Sequence, residues 1–342
     1  MNALTAAIDY HAAQIAHRSA LLGRRVDVAQ MPVLSREPYL DLRKPGLWSP
    51  NRSCRMLPTA DAWIALNLAR EEDRALMPAW LQLEEIAADH WPTIARRVRE
   101  RTGAQLIGEG RVLGLPLARV GEVSATSLDP RLHAIGARRE LQLERLRVLD
   151  LSSLWAGPLC GAVLAECGAE VTKLESVQRP DASRVGSPEL YRQLNRKKQP
   201  VTLDFSTVAG RLQLREQIMN AHVVITSARR RAFEQLELDP FALCTARPGL
   251  IWVAITGYGW QGVNSDRVAF GDDAAAAGNL VHWTQAGTPR FVGDAAADPL
   301  TGLAAAAAVL SAVTQGGGVL IDAALAVCAA AAQSHAAHSI AA

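Results

Sequence analysis

The stretch Arg147-Val148-Leu149-Asp150-Leu151, then Gly157-Pro158 through Leu164, then Ala169-Glu170-Val171-Thr172-Lys173-Leu174, decides the fold. The first run is short and mostly apolar and reads as a buried strand. The Gly-Pro pair opens a helix, and a second strand follows. The same grammar recurs downstream. Strands are predicted at Val201-Thr202-Leu203, Val223-Val224-Ile225 and Ile251-Trp252-Val253-Ala254-Ile255, with helices between. A helix over 299–314, a Gly316-Gly317-Gly318 turn, a strand at Val319-Leu320-Ile321 and an alanine-rich helix close the chain. Strands alternating with helices predict an α/β fold built on a parallel sheet covered on both faces.

Upstream the pattern differs. Residues 1–25 read as helix, followed by a Pro-containing connector from Met31 to Asn51. A first module then holds a short strand at Ala62-Trp63-Ile64-Ala65-Leu66 and acidic helix starts at Glu71-Glu72-Asp73 and Glu84-Glu85. It continues with an amphipathic helix around Ile94–Val98 and a turn into a short strand at Leu113–Ala118. The expected organisation is an N-terminal helix and connector (1–50), a smaller α+β domain (51–142) and a Rossmann-like domain (143–342).

Composition narrows the function. The chain has 342 residues, 49% apolar and 20% charged, with a formal charge of +2, so nucleic acid is not the expected partner. Five cysteines without ligand spacing suit a reducing compartment. Met1 to Ala20 holds Asp9, His11, His17 and Arg18, unlike a signal peptide. The apolar run from Gly302 to Val313 is short of the ~20 residues that span a bilayer. A cytoplasmic protein without a membrane partner is expected.

Several motifs invite a cofactor and are discounted. Gly257-Tyr258-Gly259-Trp260-Gln261-Gly262 matches the dinucleotide pattern, but Val263-Asn264-Ser265-Asp266 is a poor helix start, so no flavin or nicotinamide is expected. The triple glycine lacks a phosphate-loop lysine and reads as a helix C-terminal turn. Asp266, Asp272, Asp273 and His282 read as scattered surface acids rather than a metal site. Arg229-Arg230-Arg231 and Asn195-Arg196-Lys197-Lys198 are basic loops beside strands, either solvated or phosphate-binding.

The segment Gly293-Asp294-Ala295-Ala296-Ala297-Asp298-Pro299-Leu300-Thr301-Gly302 places a carboxylate at the start of an apolar helix. Read locally, Asp298 before Pro299 is either a helix cap or a nucleophile. Asp294 is the weaker candidate.

In order along the chain, Val148–Ser152 with Ala156-Gly157-Pro158, Leu164–Glu175, Asn195–Asp204, Ile255–Gly259, Asp298–Gly302 and Gly318–Asp322 resemble the class III CoA-transferases. This family includes formyl-CoA and carnitine CoA-transferases. The first module resembles the same family out of order, through Pro58–Ala65, Gly114-Leu115-Pro116, Val120–Val123 and Leu128–Leu132. That order implies a circular permutation, with the small domain ahead of the CoA-binding domain.

The resemblance implies that Asp298 is the nucleophile in CoA transfer from an acyl-CoA to an acceptor carboxylate. It places Arg229 and Lys197 on the CoA phosphates and Ser153, Trp155 and Ala156 in a loop touching CoA. Backbone N–H groups near Gly257, Gly259 or Thr301-Gly302 are the candidate oxyanion donors. It also implies a homodimer, with acyl-CoA as substrate and no metal. The alternatives are an acyl-CoA racemase, disfavoured because its histidine position is Phe270, and a non-catalytic CoA-binding subunit.

Overall fold

The computed structural model describes residues 2–84 and 90–341. Glu85, part of one predicted helix start, lies outside them. Helix α1 (Ala3–Leu21) leads through a largely irregular strap, residues 22–53, to strands β1 (Cys54–Pro58) and β2 (Trp63–Asn67). Helices α2 (Trp91–Arg99) and α3 (Gly103–Leu113) precede β3 (Leu117–Arg119) and β4 (Arg131–Ala134). Then come β5 (Arg147–Asp150), α4 (Ala156–Glu166), β6 (Glu170–Ser176) and β7 (Gln199–Leu203). Next are α5 (Val208–Asn220), β8 (Val223–Thr226), α6 (Arg230–Gln235) and β9 (Ile251–Thr256). Helix α7 (Gly271–Ala277), the hairpin β10 (Val281–Trp283) and β11 (Pro289–Phe291), and α8 (Ala297–Thr314) follow. Strand β12 (Val319–Ala324) and α9 (Leu325–Ala341) end the described chain.

A 7-stranded sheet runs β4-β12-β9-β8-β5-β6-β7, parallel except for β4, which pairs antiparallel with β12 at the edge. Leu149 of β5 pairs with Thr172 on one side and Val224 on the other. Counted from β5, the parallel strands follow the doubly wound order, which reverses direction between β5 and β8. In doubly wound sheets this switch point, at the carboxyl edge, is where the ligand crevice lies. The α/β reading of the sequence is correct, and the antiparallel 3-stranded sheet β1-β2-β3 is a separate layer.

The triple-glycine turn is as expected: Gly316, Gly317 and Gly318 have φ of 85°, 65° and 72°. A side chain at Gly317 would also strike the Gly249 carbonyl. The apolar helix was underestimated. Ala297–Thr314 is long and apolar enough by length and composition to cross a membrane, and it is instead core, 83% buried in the fold. It packs between α1 and α4, and a run of small residues allows the close approach. Arg18 of α1 donates to the Ala307 carbonyl at 2.7 Å, tying the N-terminal helix to it.

The tightest point of that packing is Gly302, where a Cβ would lie 2.6 Å from the Ala156 carbonyl oxygen and 2.9 Å from Leu159. Gly302→Ala is expected to cost about 1–3 kcal/mol through forced backbone shifts. Gly108→Ala, in an exposed helix position with nothing within 4 Å, is expected to be neutral or stabilising. Thermal unfolding of the two variants checks this; equal midpoints would contradict it.

Candidate active site

At the crevice, the loop after β5 is held in an uncommon shape. Leu154 has φ of 69°, and its N–H donates to both oxygens of Asp181 at 3.1 and 3.2 Å. Asp181 pairs in turn with the buried Lys173 ammonium at 3.4 Å. Across the crevice Ser227, after β8, accepts from the Ser153 N–H at 2.9 Å. Arg229 follows on the same loop and is exposed, with no ion-pair partner among the described residues.

Asp298 lies in the first turn of α8, whose N-cap is Ala296 without a side-chain cap. Its carboxylate therefore does not cap its own helix; it accepts instead from the Gly271 N–H at the start of α7. A Cβ at Gly271 would come within 2.5 Å of both the Ala295 carbonyl and Asp298 Oδ2, so glycine is required there. Asp298 and Gly302 are four residues apart and share one face of α8. Because Gly302 touches Ala156, this face looks toward the start of α4 and the strained β5 loop.

The turn before Asp298 is strained as well. Ala295 has φ of 43°. Its N–H donates to Asp272 Oδ1 at 2.7 Å, and its carbonyl accepts from the Asp298 N–H at 2.8 Å. Asp272 Oδ2 accepts from Asn51 at 3.2 Å. Asp294 is gripped by Arg36 Nε and Nη2, at 2.6 and 2.7 Å. Asp273 accepts from the Phe270 N–H and from Asn67, each at 3.0 Å, while its other oxygen is buried without a partner.

Carboxylates crowded away from water hold their protons. Burial pushes the Asp298 carboxyl up to about 7, against the pull of Arg36, with Asp272 and Asp294 adding repulsion. Burial likewise raises Asp272 to about 6, helped by Asp294, and Asp273 to about 8. Asp298 is densely surrounded yet keeps partial contact with solvent. Cavities of about 580 and 480 Å³ lie elsewhere, the first beside Arg52, Arg74 and Trp91, the second beside Phe233, Glu237 and Trp260.

The structure places Ser153 and Arg229 in the two loops at the switch point, joined through Ser227, and Gly257 and Gly259 after β9 on the same sheet edge. It separates the others. Lys197 is bound to Glu166 at 2.6 Å, at the end of α4 and before β7, which is the opposite edge from the crevice. Trp155 and Ala156 are buried, and the Trp155 Nε1–H donates to the Val33 carbonyl at 2.8 Å, so both face the interior.

Two of the expected oxyanion donors are unsuited to that task. The Gly259 N–H bonds to Thr256 at 2.9 Å, and Thr301 and Gly302 are inside the helix, past its start. Asp272 and Asp273 are not surface acids but are buried. Consecutive acids opening a helix are ordinary on a surface, which is why the pattern misled. Among the described residues no group of His, Cys, Asp and Glu has a metal-binding arrangement. The segment after Gly257 opens no helix; the next one starts at Gly271. Arg36, Asn51, Asp181 and Ser227 carried no motif signal.

The profile of CoA-transferase family III matches residues 143–341, and the chain belongs to that family. It is 31% identical over 206 residues to the succinate–glutarate CoA-transferase of Agrobacterium fabrum, covering 55% of this chain and 52% of that one. It is 35% identical over 124 residues to the mouse α-methylacyl-CoA racemase, covering 36% of this chain and 30% of that one. A CAIB/BAIF family protein from Brucella suis superimposes with a TM-score of 0.53 at 30% identity, covering 59% of this chain and 57% of that one. The chain thus spans about half the length of the curated relatives it matches.

Raised carboxyl groups destabilise the fold as they ionise. Between about 4 and about 8 the folded state holds the Asp273 proton that the unfolded chain releases, so stability falls as pH rises through that window. Asp273→Asn is therefore expected to gain stability over the parent at pH 8 relative to pH 5. Denaturant unfolding at both pH values checks it. Taking the difference from the parent cancels the opposite contributions of the buried His11 and half-buried His222, whose pKa values burial lowers to about 4. An equal difference at both values would contradict the burial argument.

Proposed function

We propose that this protein is a CoA-transferase that moves CoA from an acyl-CoA to an acceptor carboxylate, with Asp298 as the covalent acceptor. The observation that carries this reading is the carboxylate of half-buried Asp298 in the first turn of α8, on the helix face that also carries Gly302 against the start of α4. Its helix needs no cap from it, and the neighbouring acids are fixed by other partners.

In this reading ionised Asp298 attacks the thioester carbonyl, giving an acyl-aspartyl anhydride and CoA thiolate. The thiolate attacks the aspartyl carbonyl and releases the donor acid, leaving an aspartyl-CoA thioester. The acceptor carboxylate attacks that thioester and frees the thiolate, which takes the new acyl group and regenerates Asp298. Each step exchanges one acyl bond for another, so one difficult exchange becomes several easier ones. Arg229, exposed at the crevice, is the proposed phosphate contact. Dicarboxylic acyl groups are the first class to test, by likeness to the Agrobacterium enzyme.

The chain would act as a homodimer, with a second copy supplying walls that Asp298 lacks. Residues 51–142 would hold a small domain preceding a CoA-binding domain at 143–342, in permuted order, with β4 of the first segment adding an edge strand to the sheet of the second. Five free, buried cysteines suit a reducing, cytoplasmic setting. A racemase is disfavoured because Phe270 carries no proton.

Incubation with succinyl-CoA and hydroxylamine should leave a hydroxamate on Asp298, seen by peptide mass spectrometry. Asp298→Asn should lose it and lower CoA exchange by at least about a thousandfold. Hydroxamate on Asp294 instead would overturn the assignment. Arg229→Ala should raise KM for the CoA ester about tenfold, whereas Lys197→Ala should leave it unchanged. The reverse pattern in steady-state kinetics would contradict the placement of the phosphates.

A further inference from the structure

We propose that Arg36 is a positioning residue for Asp298, which makes the strap between α1 and β1 part of the reaction centre rather than a linker. This rests on Asp298 being the reacting carboxylate. The strap lies outside the stretch that matches the family profile, and nothing in its sequence marks it. Its side chains nonetheless hold both sides of the Asp298 turn.

Arg36 grips Asp294 through two parallel hydrogen bonds of 2.6 and 2.7 Å, and the two side chains are only 19% and 8% exposed. The same guanidinium lies over the Trp155 ring at 5.2 Å. Trp155 is itself fixed to the strap through the Val33 carbonyl. One planar cation thus joins the turn carrying the nucleophile to the loop after β5. Asn51 holds the turn from its other side by binding Asp272, which fixes the strained Ala295 whose carbonyl anchors the Asp298 N–H.

The electrostatics follow the geometry. The charged groups acting on Asp298 are Arg36 from the strap, Asp272 from α7 and Asp294 within the turn; Asp273, next to Asp272, faces Asn67 instead. Arg70 acts on Asp273 but is committed to Asp73 and Glu72. Removing Arg36 would strand a nearly buried Asp294 and take away the positive charge that favours ionised Asp298. A lysine there would restore charge but neither the fork nor the flat face on Trp155.

The test uses the 342-residue chain labelled with γ-¹³C aspartate, with the Asp298 resonance assigned by its loss in Asp298→Asn. Arg36→Gln should move the Asp298 titration midpoint up by about one unit, a tenfold smaller ionised fraction below the midpoint. Arg36→Lys should recover most of that midpoint. At pH 9, where Asp298 is ionised in the parent and in Arg36→Lys, the lysine variant should still form hydroxamate at least about tenfold more slowly, because the fork is gone.

Unchanged midpoint and unchanged trapping in a folded Arg36→Gln protein would overturn the proposal. If that variant does not fold, Arg36→Lys and Asn51→Ala carry the trapping comparison. Equal rates in both would then overturn it. Failure of Asp298 to be trapped at all would sink the transferase reading, while the NMR midpoints would still decide whether Arg36 governs this carboxyl.

Discussion

Backbone contact between α8 and α4 at Gly302 is the constraint on which the site depends. Only a residue without a side chain lets the Ala156 carbonyl come so close. One helical turn earlier on the same face is Asp298, so the spacing from aspartate to glycine is a packing rule as well as a motif. The glycine sets how near the acid comes to the loop after β5, where the doubly wound sheet opens its crevice. A second glycine, Gly271, lets the start of α7 close against the carboxylate. Two absent side chains define the space around this one carboxylate.

That space is costly to maintain. Asp272, Asp273, Asp294 and Asp298 are packed together, with Arg36 supplying the positive charge against the turn. Asp272, Asp273 and Asp294 are each held by two donors, from backbone, side chain or both. Asp298 takes a single N–H from Gly271 and remains able to gain or lose a proton near neutrality. A nucleophile needs that state: ionised often enough to attack, and little enough hydrated to be reactive.

Much of this was legible beforehand. The parallel strands stand within a few residues of the sequence reading because each is an apolar run bounded by turn residues. Strand β4, Arg131-Leu132-His133-Ala134, was not read as a strand, since an exposed edge strand carries no buried pattern. The hairpin β10–β11 was missed because three residues per strand are too few to show alternation. Asp298 stands out in the sequence through its motif alone. Its surroundings do not: Arg36 reaches Asp294, and Asn51 reaches Asp272, across more than 200 positions of chain, and neither sits in a recurring pattern. Lys197 was misplaced because a basic loop before a strand looks like one after it until the sheet edge is known.

As the covalent acceptor, Asp298 would exchange oxygen with the acids it serves. In the proposed sequence the acceptor's oxygen bridges the second anhydride and stays on the aspartate when CoA leaves with the acyl group. Turnover of succinyl-CoA with an ¹⁸O-labelled carboxylate acceptor, followed by peptide mass spectrometry, reads this directly. The account predicts ¹⁸O in the peptide containing Asp298 and in no other. Product CoA ester formed with that peptide still unlabelled would contradict it.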